Sequence, residues 1–595
     1  TKNIANKHRE FLDSEARLYF TEQGFDNFYV GKGSTYPQVN GSLGILFEAG
    51  AARGGKIETV NGIKTYADNI RTQFRTTLTT VAGALEQAEE LHDFQARYFR
   101  SALELAAEDD RKAFVFTTHG DTARLHRFVD VLRQHDVTVH ELGDDLTADD
   151  IEFTEGQAFV VPMAQRQYRM VRGIFDRLTE FEENVFYDVS GWTLPLAYDL
   201  DYAALDEETF STDLLGDEIE NAPALADVPS PSRARYGYVF DWSEYYAPRA
   251  LYRLLSEDVL VRIAEEPFEI RAGQDIISFD RGAVFVPLIR QDVPDSQIHS
   301  IMKEIAEKDG IRVTAATSGA AEVATDAVGG RSFSAVTEPE ILLLIDDGLA
   351  RYDAGEMWHL LDFVMEMPVT IRRKNSLGSL DWSRYTHLIM VGGGNPDLSK
   401  STTERVTRWI SEEGGTLIAL RQSAHWAQET MLQETEDSNK DEDDKDEEDE
   451  PQRFDYSEMG LRDAEHVIGG TIVASDLDIS HPLGFGYKDR FLPVHRNTEE
   501  VLDWPEENPY AVVAAYPEEN LVLSGYASTR RVEEISGTPS IIAERKGAGS
   551  VILMADNPVF RGTFIGTNKL VLNAIFFSSM INRPFGDYED QGHVH

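Results

Sequence analysis

Residues 341–345 read Ile341-Leu342-Leu343-Leu344-Ile345, five apolar residues with no polar break. A run this short reads as a strand buried on both faces, because a half-exposed strand alternates and a buried helix needs more length. His387-Leu388-Ile389-Met390-Val391 and Thr416-Leu417-Ile418-Ala419-Leu420 repeat the pattern. Between these two runs, Ser401-Thr402-Thr403-Glu404 fits a capping box that opens a helix, and Gly414-Gly415 closes it. Buried strands alternating with helices imply a doubly wound, flavodoxin-like parallel sheet, so residues 335–595 are expected to form an α/β domain.

The same alternation extends upstream. Residues 113–116 are apolar, Leu125, Phe128, Val129 and Leu132 share a helical face, and 137–140 reads as the next strand, which makes a βαβ unit. Apolar runs at 159–161, 259–263 and 283–288 continue a middle α/β domain over 111–330, and the small polar stretch 315–337 reads as a linker. Residues 1–110 form a further region. It has a buried strand at 43–48 and one long helix over 68–108, whose Ile70, Phe74, Leu78, Val81 and Leu85 draw a stripe expected to pack into the core. Residues 434–450 hold twelve acids among seventeen positions, which reads as a disordered acidic loop inside the last domain.

Composition narrows the classes. A chain of 595 residues exceeds a single core. No apolar run of 18 residues occurs, so no membrane-spanning helix is expected. The net charge of −48 would repel a polyanion, which argues against a nucleic-acid partner. Only 15 of the 56 cationic residues are Lys. This excess of carboxylates over scarce lysines points to a halophilic source, where salt screens the self-repulsion of an acidic surface. The absence of Cys removes disulfides, thiolate metal ligands and a Cys nucleophile together.

The stretch Tyr29-Val30-Gly31-Lys32-Gly33-Ser34-Thr35-Tyr36-Pro37, followed by Asn40-Gly41-Ser42-Leu43-Gly44-Ile45-Leu46-Phe47-Glu48, resembles the zinc carboxypeptidases of the carboxypeptidase A type, in particular their large multidomain members. The resemblance spans roughly the first 110 residues. It implies that Glu48 is the general base facing a zinc-bound water and that Tyr29 closes over a peptide substrate, with Tyr19 and Tyr36 left open for the second role. Zinc in that family is held by a His-x-x-Glu pair and a distant His, all before the position of Glu48. The residues before Glu48 contain one His, His8, followed by Arg9 and Glu10. The resemblance therefore implies the N-terminally truncated, C-terminal part of a metallopeptidase, inactive alone and binding no zinc itself.

The last domain resembles the class I glutamine-amidotransferase-like fold in degenerate form. The nucleophile slot after the run 416–420 falls at Arg421, and Ser423 is the alternative nucleophile. Gly392-Gly393-Gly394 reads as a tight turn, with phosphate binding as the sharper alternative. His119, Asp121 and His126 lie close together at a strand–helix junction, where surface or capping roles are expected. The rival to the peptidase reading is a non-catalytic binding or scaffolding protein built on the amidotransferase-like domain.

Circular dichroism against salt concentration checks the halophile reading. The native spectrum and a cooperative melt are expected only with added salt; a cooperative native state in its absence would remove it.

Overall fold

The computed structural model describes residues 1–20, 28–182, 186, 188–221, 228–320, 327–432, 453–465, 467–506 and 508–582. The acidic run 434–450 lies outside the described residues.

Helix Lys2–Ser14 buries Ile4, His8 and Phe11 against helix Tyr66–Glu86. Between them lies a hairpin of β1 (Lys56–Thr59) and β2 (Gly62–Thr65). Thr65 and Asp68 form a reciprocal capping box at the start of helix Tyr66–Glu86, with both side-chain-to-backbone bonds at 3.2 Å. The expected single helix is two, Tyr66–Glu86 and Ala88–Glu108, interrupted at Gln87. The expected core stripe is also overturned, since Phe74 is 62% exposed and Leu85 76%. The face turned to helix Lys2–Ser14 is the small and polar one, where Thr76 and Gly83 are buried and a Cβ on Gly83 would stand 3.2 Å from the Ile4 Cα. Apolar periodicity locates a helix; which face is covered depends on what packs there.

Residues 43–48 form no strand, and they are half-buried to exposed. The expected buried strand is corrected for a simple reason: no neighbouring strand among the described residues offers it a ladder.

From residue 111 one arrangement occurs twice. The first unit contains β3 (Arg111–Thr117), helix Thr122–Gln134, β4 (His140–Leu142), a hairpin of β5 (Leu146–Ala148) and β6 (Ile151–Phe153), β7 (Ala158–Pro162), helix Tyr168–Phe175, β8 (Asp201–Asp206) and β9 (Leu215–Glu218). Its sheet order is β8-β3-β7-β4-β9. The second unit contains β10 (Gly237–Phe240), helix Ala247–Leu255, β11 (Val261–Ala264), a hairpin of β12 (Phe268–Ala272) and β13 (Asp275–Phe279), β14 (Val284–Pro287), helix Asp295–Asp309, β15 (Thr314–Ala316) and β16 (Phe333–Val336). Its order is β15-β10-β14-β11-β16. Strand for strand and in their two longer helices the units correspond, an internal duplication that the sequences conceal; the first adds a short helix, Leu194–Ala197, and a 3-10 turn, Thr212–Leu214.

The expected βαβ unit is a split one. β7 stands between β3 and β4 and is antiparallel to both. β16, in the stretch read as linker, completes the second sheet by pairing with β11.

The third sheet has ten strands. β17 (Ile341–Ile345), β18 (Val369–Arg373), β19 (His387–Met390), β20 (Thr416–Leu420), β21 (Thr471–Leu477), β22 (Phe491–Arg496), β23 (Val512–Ala515), β24 (Val522–Ser524), β25 (Pro539–Lys546) and β26 (Gly549–Met554) follow in chain order. The α/β class holds. β18-β17-β19-β20-β26 are parallel in the flavodoxin-like order 2-1-3-4-5. Beyond β26 the sheet turns antiparallel through β25, β23, β21 and β22. The change comes from the tight loop joining β25 to β26, where Gly547 has φ 64° and a Cβ would meet the Ser411 carbonyl oxygen at 2.2 Å. Helix Lys400–Glu413 is capped by Ser399, two residues before the expected box, and ends at Gly414 with φ 83°. Helix Asn568–Phe577 is buried along its whole length.

Because the stripe on helix Tyr66–Glu86 is exposed, Leu78→Asp is expected to change unfolding free energy by less than about 0.5 kcal/mol. Leu388→Ala in β19 should cost about 2–5 kcal/mol. Chemical denaturation of the two variants in the same salt checks the contrast.

Candidate functional site

Glu48 is exposed, and it makes no side-chain hydrogen bond or ion pair with another described residue. Its neighbour Phe47 meets the His8 ring edge-on at 4.7 Å. His8 is buried, and its Nδ1 shares a 2.7 Å hydrogen bond with Thr79 Oγ1. No three His, Asp or Glu side chains among the described residues converge on a point a metal could occupy. The described residues around Glu48 do not fit a zinc site. Tyr29 turns away toward the third sheet, with the Arg561 guanidinium 5.1 Å over its ring and Trp192 beside it at 5.8 Å. No hydrogen bond or ring contact joins Tyr29 to Glu48 among the described residues.

The turn after β20 is the second candidate. Arg421 sits there at φ 54° and ψ −125°, a strained conformation for a residue with a side chain. Its guanidinium donates to Asp353 Oδ2 at 3.0 Å and to the Asn497 carbonyl at 3.2 Å. The nucleophile slot is therefore filled by a cation held in an ion pair. Ser423 is fully buried and donates to the Val391 carbonyl at 2.7 Å, which points its hydroxyl into the core. Two amides of the glycine turn are also spent: Gly393 N–H donates to Gln422 Oε1 at 3.0 Å and Gly394 N–H to the Gly348 carbonyl at 2.8 Å. Gly393 has φ 126°, and a Cβ there would meet the Ala350 nitrogen at 2.5 Å. A tight turn accounts for Gly393 without a phosphate.

The third candidate is open. The chain leaves β3 through Thr118-His119-Gly120-Asp121, with His119 at φ 50°. Asp121 Oδ1 accepts from Arg124 N–H, capping helix Thr122–Gln134, and from Tyr245 N–H of the second unit's equivalent turn, each at 3.1 Å. One carboxylate thus ties the helix starts of the two duplicated units together. From helix Asn568–Phe577, the Lys569 ammonium donates to the carbonyls of Trp242, Ser243 and Glu244. These turns enclose a cleft of about 420 Å³ between the two units and the third sheet. Inside it Arg124 pairs with Asp121 at 3.2 Å and Asp199 at 2.9 Å, while His119 and Lys488 both reach Asp201 at 3.0 Å. The capping expectation holds for Asp121. His126 takes no part and packs edge-on against Phe159.

Acids in the cleft and beside it are perturbed. Burial, with Asp121 and Asp241 adding repulsion, pushes the Glu244 carboxyl up to about 8. Burial also raises Asp199, against the pull of Arg124. No motif announces these residues, because they come from six separate stretches. The one signal in the sequence is the abrupt change from apolar strand to charged turn after Phe116 and Phe240.

No family model matches the chain, and no curated protein matches it in sequence. Among solved structures it is similar to a protein described as a GMP synthase subunit from Thermoplasma acidophilum, at 10% identity and a TM-score of 0.23, covering 40% of this chain and 94% of that one. A cold-adapted β-galactosidase from Rahnella sp. R3 has 11% identity and a TM-score of 0.21, covering 49% of this chain and 34% of that one. A β-galactosidase from Bacillus circulans sp. alkalophilus has 14% identity and the same TM-score, covering 40% and 30%.

Two measurements test this geometry. Arg421→Ala strands the buried Asp353 carboxylate and should cost about 3–5 kcal/mol. Arg421→Gly should cost about 1 kcal/mol less, because glycine relieves the strained backbone. Chemical denaturation should show that order. Glu244 is raised in the folded state, so its favourable contribution is complete below the unfolded value near 4.5 and is lost as pH rises through about 8. Glu244→Gln should remove that component of the fall in melting temperature between these limits.

Proposed function

We propose that this chain is part of a zinc-carboxypeptidase-like protein, with Glu48 as the general base of its peptide hydrolysis and the zinc ligands supplied from outside these residues. The observation that supports the reading is the pairing of two uncovered features in the region of sequence resemblance. Residues 43–47 are mostly apolar but pair with no strand among the described residues, and helix Tyr66–Glu86 carries a bare apolar face. An unpaired apolar segment and an uncovered helix face are what one layer of an α/β domain presents when the rest of its sheet is elsewhere. Placing a carboxylate directly after such a segment would suit proton transfer from a metal-activated water. The reading also expects no hydrolysis by the chain alone.

A second reading, non-catalytic binding or scaffolding, is favoured by the turn after β20. There Arg421 and its ion pair with Asp353 occupy the place where an active amidotransferase-like domain would carry its nucleophile.

The coding sequence upstream of Thr1 tests the first reading. It should encode a His-x-x-Glu pair and a later His in frame, and a chain extended by those residues should release C-terminal residues from a peptide in a zinc-dependent manner. Glu48→Gln in that protein should lower kcat by at least about a hundredfold, the usual contribution of general base catalysis. An upstream frame without these ligands, or activity indifferent to Glu48→Gln, would sink the assignment.

A further inference from the structure

We propose that the cleft between the duplicated units and the third sheet binds an organic molecule carrying separated cationic groups, either a free polyamine or a peptide with basic side chains. Its volume, about 420 Å³, lies within the range of small-molecule sites, and it forms where loops from three sheets converge.

The charge arrangement selects the ligand. Each cation lining the cleft already has a partner. Arg124 is held by two aspartates, Lys488 by Asp201, Arg281 by Glu266 and Lys569 by three carbonyls. Three carboxylates lack that compensation. Asp241, Asp280 and Asp489 form no ion pair with another described residue; Asp241 accepts only from the amide and hydroxyl of Ser243, and Asp489 from the Phe491 amide at 3.0 Å. An anion would find no uncommitted cation here, whereas a cation would find three carboxylates.

The three carboxylates come from three separate stretches of the lining. Among the described residues no three acids or histidines approach closely enough to share one metal ion. A single inorganic cation cannot serve them together, but a flexible molecule with ammonium or guanidinium groups several bonds apart can. Phe491, 51% exposed, adds an apolar ring at the lining on which a cation's alkyl stem or charge can rest.

Isothermal titration with spermidine and with the acetylated tripeptide Lys-Ala-Lys tests the proposal, at a salt concentration where the protein melts cooperatively. One equivalent of at least one probe is expected to bind, more weakly as KCl is raised. The double substitution Asp241→Asn and Asp489→Asn should weaken binding at least about tenfold, one charge-assisted contact or more. Its unchanged melting temperature would show that the fold is intact. Phe491→Ala, tested separately, should weaken binding severalfold. Binding of spermidine alone identifies a free polyamine as the source, and binding of the tripeptide alone a basic peptide. Three results would overturn the site: no saturable heat with either probe, equal binding of neutral myo-inositol, or binding unaffected by the double substitution. The last would mark general attraction to an acidic surface.

Discussion

Helix Asn568–Phe577 is buried at every residue, yet it carries Asn568, Lys569 and Asn573. Polar groups in such a place cost several kcal/mol unless each finds a partner. Asn573 accepts from Trp242 Nε1 at 2.7 Å and donates to the carbonyls of Leu483 and Phe485 at 2.7 and 2.9 Å. Tyr245 donates to Asn568 at 3.1 Å, and Lys569 holds the turn that follows β10. The partners come from the second duplicated unit and from the third sheet. This constraint fixes how those two bodies meet, and the cleft has its shape because they meet there.

The duplication adds the opposite wall. Each unit sends its first strand, β3 or β10, into a turn followed by a helix, and Asp121 caps across from one unit to the other. Two such turns and the start of a third helix bring backbone N–H groups, carboxylates and aromatic rings into one space. The turn after β20 shows the contrary outcome. There the strained backbone of Arg421 persists, but its side chain closes the space with an ion pair to a buried aspartate. Similar strand–turn–helix geometry thus yields an open site in one place and a sealed one in another, according to whether the side chains neutralise one another.

Much of the architecture was legible in the sequence. The runs 341–345, 387–391 and 416–420 became the parallel strands β17, β19 and β20, because a continuous apolar run has few other stable places. Less legible were pairings set by distant segments. The antiparallel half of the third sheet depends on Gly547 at a two-residue loop, and β16 looked like linker because it is short and partly polar. Helix Tyr66–Glu86 has a clear apolar period, but periodicity carries no information about whether that face meets a partner. Glu48 and Tyr29 were found by their string of neighbours, and the fold does not bring them together. The cleft was not legible, since its walls are spread over more than 400 positions of chain and only tertiary contacts assemble them.

Residue types and local spacing were enough to establish the α/β class, the parallel strands, the lack of thiol chemistry and the strongly acidic surface. Three features came into being only when the chain closed on itself. Two dissimilar stretches fold into one repeated unit, Arg421 plugs its turn while the interdomain cleft stays open, and a buried helix joins the parts. Hydrogen-bond satisfaction and charge compensation are properties of groups brought together in space, and no local window of sequence contains both partners.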